Sequence, residues 1–149
     1  MKSFNFRLER LLNFRNMQEE EAKRELGLRY MALEEETTRL SGLKKEEEFL
    51  INQWQKQVEK DIELPCLQVT QQYSQRLENI LVRQAEQYKK TKSKVEEQRE
   101  EAKHCWQKKK VLEILKDKAN SEYRYQEKLE ERKLIDELVL NTYNRKGGD

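Results

Sequence analysis

From Phe4 to about Asp61 the apolar residues recur in steps of three and four. A second run with the same spacing begins at Tyr73, and the chain's only proline, Pro65, stands between them. The first run holds Leu8, Leu12, Ala22, Leu26, Leu33, Leu40, Leu43, Leu50 and Trp54. The second holds Tyr73, Leu77, Leu81, Tyr88, Val95, Ala102, Cys105, Leu112, Ala119 and Tyr123, then Leu129, Leu134 and Leu138 less regularly. Such spacing keeps one side of a helix apolar over many turns. Glu19 and Glu47 interrupt one row of the first run, and Arg15, Arg29 and Glu36 interrupt the other. The pattern is therefore a heptad seam with defects, an irregular coiled coil.

Composition agrees with a seam rather than a thick core. Of 149 residues, 35% are hydrophobic and 40% charged, against roughly 45–50% apolar in ordinary globular chains. Polarity of this kind also suits disorder. A net charge of only +2, a single proline and four glycines weigh against it, as does the regular spacing. Gly27 and Gly42 each cost a helix about 1 kcal/mol relative to alanine, which packing must offset unless the helix bends there.

Pro65 has no N–H and disfavours helix at Leu64, so a break is expected at about 62–68. The expected fold is all-α: a long two-helix antiparallel coiled-coil hairpin with a bend near Pro65. Helix 1 spans about 4–61, helix 2 about 69–141 and a frayed tail 142–149, all in one coiled-coil domain over 1–149. At 1.5 Å per residue the helices are roughly 85 and 105 Å long. Folding about residues 65–66 pairs Leu8 with Tyr123, Leu12 with Ala119, Leu26 with Cys105, Leu43 with Tyr88, Leu50 with Leu81 and Trp54 with Leu77. It sets Trp106 within a turn of Gly27, where a missing side chain makes room, and it leaves Lys109 facing Ala22, a poor match.

The residues for catalysis are missing. The only histidine, His104, is adjacent to Cys105 on a helix, and neighbours there point about 100° apart, a poor geometry for a shared metal. The chain has neither G-x-x-x-x-G-K-[ST] nor G-x-G-x-x-G, and carboxylate runs such as Glu46–Glu48 read as solvated faces. No enzyme activity, cofactor or metal is expected. "KKTKSK" (Lys89–Lys94) and "QKKK" (Gln107–Lys110) are short and lie among acids, and the sequence pI of 8.4 falls below a nucleic-acid reader's basic footprint, so no nucleic acid is expected. No stretch approaches the ~18 apolar residues of a membrane span, and the opening lacks a signal peptide's apolar centre. The chain is expected in the cytosol with reduced thiols. Cys66 and Cys105, roughly 58 Å apart along a helix, should form no intrachain bridge.

The opening carries more apolar surface than one partner helix covers. Phe4, Phe6, Leu8, Leu11, Leu12 and Phe14 run together with Lys2, Arg7, Arg10 and Arg15. This is either a wider local core or an interaction surface for protein or anionic membrane. Tyr73, Leu77, Ile80 and Leu81, just after the bend, form a similar cluster.

The opening "F-x-F-R-L-x-x-L-L-x-x-R" (Phe4 to Arg15), the following "QEEEAKREL", the length, the mid-chain bend and "CWQKKKVLE" (Cys105–Glu113) resemble the flagellar export protein family FliJ. The resemblance covers nearly the whole chain. It implies a component of the bacterial flagellar type III protein export apparatus, serving protein transport, flagellum assembly and motility. It also implies an antiparallel coiled coil similar to the gamma-subunit stalk of rotary ATPases, lodged in the cytoplasm and peripherally associated with the inner face of the membrane at the flagellar base. The implied partners are the hexameric export ATPase, whose ring assembly and activity it would promote, the cytoplasmic domain of the gate protein FlhA, and export chaperones; no direct membrane insertion is implied.

The family's gate-binding patch maps to Tyr73, Leu77, Ile80 and Gln84. Tyr73 and Leu77 match it, whereas Ile80 is larger than usual and Gln84 replaces a histidine. The expected ATPase-binding residues are Arg7, Arg10, Leu11, Leu12, Leu134 and Leu138. The alternative is a structural or membrane-surface coiled-coil adaptor, and a plain homodimeric coiled coil comes third.

Overall fold

The structure is a computed structural model that describes residues 2–60 and 63–147. Two long helices pack against each other as a helical hairpin, with no strand among the described residues. Helix α1 spans Glu9–Val58 and helix α2 spans Leu64–Lys146. Packing divides the chain into two compact units. One comprises Met1–Glu20 with His104–Asp149, the other Glu21–Lys103.

α1 starts later than residue 4 because the opening segment leaves the helix to reach α2. The Phe4 ring lies 5.5 Å from that of Tyr123, tilted by 51°, and the Tyr123 hydroxyl donates to the Lys2 carbonyl. The Phe6 carbonyl then accepts from Glu9 N–H at 3.1 Å and that of Leu8 from Leu12 N–H at 2.9 Å. Glu9 in the first turn and Lys56 in the last complement the helix dipole.

Pro65 is the second residue of α2 rather than the break itself. The first N–H groups of a helix lack intrahelical acceptors, so a residue without one costs nothing there. The Glu63 carbonyl accepts from Cys66 N–H at 3.1 Å and Leu67 N–H at 3.3 Å, and Leu64 is already helical. Most of the expected 62–68 bend is thus the first turn of α2. Asp61, the expected end of helix 1, and Ile62, the first residue of that bend, lie outside the described residues. α2 also passes residue 141 and ends at Lys146, where Arg145 and Lys146 complement its carbonyl end. The last two residues of the expected tail, Gly148 and Asp149, again lie outside the described residues.

The core is a seam. Buried and half-buried side chains recur in steps of four and three from Leu12 to Leu50 on α1 and from Leu77 to Tyr123 on α2. Among the described residues, full burial is confined to Leu112 and Glu19 in the first unit and to Ala22, Leu77, Val95 and Thr91 in the second. The residues that interrupt the apolar rows (Arg15, Glu19, Arg29, Glu36 and Glu47) all occupy seam positions, half-buried or more.

The pairing differs from expectation by about one heptad. Tyr123 meets Lys2 and Phe4 rather than Leu8. Trp54 and Leu50 share a groove with Thr70, Gln71 and Ser74 rather than facing Leu77 and Leu81. Lys109 reaches Glu19 at 2.8 Å, not Ala22, and the Ala22 carbonyl accepts instead from Gln98 at 3.2 Å. The cause is the bend. Starting α2 at Leu64 moves the reversal about three residues earlier, and each pairing shifts by twice that distance. A slip of seven preserves every seam position, so apolar spacing alone could not distinguish the two registers. A Cβ at Gly27 or Gly42 would meet nothing within 4 Å, so neither glycine makes room for a neighbour.

Candidate functional site

In the Glu21–Lys103 unit, Tyr73, Leu77, Ile80 and Gln84 lie on one stripe of α2, four, seven and eleven residues along from the first, as helical spacing requires. The structure divides them by role. Tyr73 and Ile80 are about half exposed, at 50% and 47%. Leu77 is buried at 4% and belongs to the seam, so it offers a partner no side chain. Gln84 turns toward α1, donating to the Glu36 carboxylate and, at 3.4 Å, to its carbonyl. Val69, exposed, extends the Tyr73–Ile80 face by one turn. Beside it lies the groove lined by Leu50, Ile51, Trp54, Gln55, Thr70, Gln71 and Ser74. Leu50 and Trp54 stood in the helical pattern and Ile51 did not, and only the observed register shows that the three line an open groove.

In the other unit, Arg7, Arg10 and Leu11 are exposed while Leu12 is half-buried in the seam. Phe14 and Met17, both exposed, extend this basic–apolar face along α1, and the Arg15 guanidinium lies 5.9 Å from the Phe14 ring centre. Leu134 and Leu138 are exposed on α2, eleven and fifteen residues past Tyr123. At 1.5 Å per residue, Leu134 lies roughly 16 Å beyond the point where Tyr123 meets Lys2 and Phe4. The six residues expected to act together therefore form two separate patches. The second is larger than expected: Ile135, Leu138, Val139, Thr142, Tyr143 and Lys146 line one shallow apolar face. "IDELVLNTY" shows that helical spacing directly in sequence, where Leu138 was expected to bind the ATPase and Ile135, Val139 and Tyr143 carried no expectation.

One charged pair lies inside the seam of this unit. Glu19 is 2% exposed, and Lys109 stands 2.8 Å from its Oε2 and 3.6 Å from Glu113. The hydrogen bond to Glu19 raises the Lys109 pKa above the ordinary lysine value; burial opposes the shift, and the charges of Glu19 and Glu113 reinforce it. A second cross-helix pair, Lys116–Glu9 at 2.9 Å, is more exposed. His104 is exposed, and Cys66 and Cys105 are free thiols. Among the described residues no three His, Cys, Asp or Glu side chains group as metal ligands, and no helix is long and apolar enough to cross a membrane.

Exposed apolar and basic faces are carried by two helices that pack on each other along the seam. No curated protein and no solved structure matches the chain. The family model described as the flagellar FliJ protein matches residues 4–148, nearly the whole length, and the chain therefore belongs to the FliJ family of components of the flagellar type III export apparatus.

Proposed function

We propose that this export component binds the hexameric export ATPase, promotes its ring assembly and activity, and links it to the export gate. The observation that supports this most is the unpartnered apolar face of α2 from Leu134 to Tyr143. A helix with that much apolar surface in water gains by docking into a partner. The basic–apolar face of Arg7, Arg10 and Leu11 supplies a second point of attachment to the ATPase, one that favours an acidic rim. Tyr73 and Ile80, with Val69, form the surface for the FlhA cytoplasmic domain, while Leu77 and Gln84 hold the helix that presents them. Handling of export chaperones belongs to the same reading. Differential affinity of these surfaces for the ATPase ring in its nucleotide states would couple docking to ATP turnover in both directions.

The test is ATPase stimulation by two variants, Arg7→Ala/Arg10→Ala/Leu11→Ala and Leu134→Ala/Leu138→Ala. The expected result is loss of stimulation in each with helix content retained. Full stimulation by both would overturn the reading. Tyr73→Ala with Ile80→Ala should weaken capture of the gate domain and spare ATPase binding.

The exposed row Arg7, Arg10, Phe14 and Met17 also favours a second reading, a membrane-surface adaptor. Salt-sensitive co-sedimentation with anionic liposomes, lost on deleting residues 1–16, would favour that role.

A further inference from the structure

The exposed apolar face near the end of α2 carries its charges in a definite order. A helix turns about 100° per residue, which sets Glu131, Leu134, Ile135, Thr142 and Arg145 within about 60° of Leu138. Val139 and Lys146 border this face, whereas Asp136 and Glu137 sit about 100° or more from Leu138, on the other side of the helix. The face therefore reads acid, apolar, base. Glu131 stands at one end, Arg145 and Lys146 at the other, all exposed. Between them Leu134, Ile135, Leu138 and Val139 are 58–65% exposed.

That order is complementary to its own reverse. Two copies laid parallel would set Glu131 beside Glu131 and Arg145 beside Arg145. Two copies laid antiparallel and crossing at Leu138 set each Glu131 beside the other's Arg145, because both lie seven residues from Leu138. Charges flanking an apolar helix contact fix its orientation in this way. We propose that a second copy of this chain docks antiparallel on this face, with Leu138 of each copy at the two-fold axis. The contact is isologous: Leu134 and Ile135 of each copy lie against the stretch from Val139 to Thr142 of the other.

The uncovered run is long enough for the pairing. Tyr123, on which the Phe4 ring rests, lies fifteen residues before Leu138, and Lys146 only eight after it. Tyr123 of one copy is then about 10 Å past Lys146 of the other, so the opening segment does not obstruct the contact. The paired helices meet over roughly 21 Å, from Glu131 to Arg145. Such a contact buries ~1,000 Å² over both copies, the low end for a specific interface, so the dimer is weak and reversible. The pairing itself does not depend on the function proposed above. On that function, however, a paired face is withheld from the ATPase, and pairing and ATPase docking exclude each other.

The test uses the chain alone. Sedimentation equilibrium from about 1 to about 100 μM at low salt reads the dimer, with circular dichroism reporting helix content. Wild type should pass from monomer to dimer across that range. Glu131→Lys and Arg145→Glu/Lys146→Glu should each stay monomeric with helix content retained, since only exposed side chains change. An equimolar mixture of the two variants should dimerise again, because each offers the charges that the other now needs at both ends. Wild type that stays monomeric throughout would overturn the proposal and leave the face to a partner of another kind. Either variant dimerising like wild type by itself would also overturn it, as would a mixture that stays monomeric.

Discussion

Lys109 holds its proton more firmly than a free lysine because Glu19 accepts a hydrogen bond from it inside the seam. The folded pKa lies above the unfolded one, so the linked stability is fully present below the ordinary lysine pKa and is lost as pH rises through the raised folded value. Thermal melts should therefore show wild type above Glu19→Gln at pH 7, with the gap closing beyond about pH 10.5. A constant gap up to pH 11 would show that the pair contributes nothing that titrates. Leu77 and Ile80, three residues apart, give a second contrast. Leu77→Ala removes a seam side chain and should cost about 2–3 kcal/mol in urea unfolding. Ile80→Ala should stay within about 0.5 kcal/mol, as exposed substitutions do. The resemblance implied both for the gate surface; spacing puts them on one stripe but does not say which side of that stripe faces α1. Glu19 was legible only as a defect in an apolar row, since its partner is on the other helix and the register was needed to find it.

The two helices were legible from spacing alone, because apolar steps of three and four permit little else over such lengths. Their ends and their pairing were less so. Pro65 was expected to break the chain, but the first turn of a helix accepts proline, and that single displacement carried the whole pairing by about a heptad. The opening segment has helical spacing, yet Phe4 gains more by packing on Tyr123 than by continuing the helix. Gly27 and Gly42 in α1 serve no close approach, as neither faces an atom within 4 Å where a Cβ would stand. Gly27→Ala and Gly42→Ala should each stabilise the hairpin by about 0.5–1 kcal/mol, additively, in thermal or urea unfolding. A loss of stability from either would mean that α1 depends on a bend at that position.

Composition limits what the chain can bury: with 35% hydrophobic residues, it suffices for a seam and little more. Among the described residues, the longest run that the seam leaves uncovered is α2 beyond Leu129. On the function proposed above, this uncovered face engages the export ATPase while contributing nothing to the hairpin's own stability. The direct measurement is stimulation of the export ATPase by a chain ending at Leu129, compared with the full chain at matched concentration. The account predicts an unchanged melting temperature, helix content lower only by the residues removed, and stimulation lost. Full stimulation by the shortened chain would contradict it.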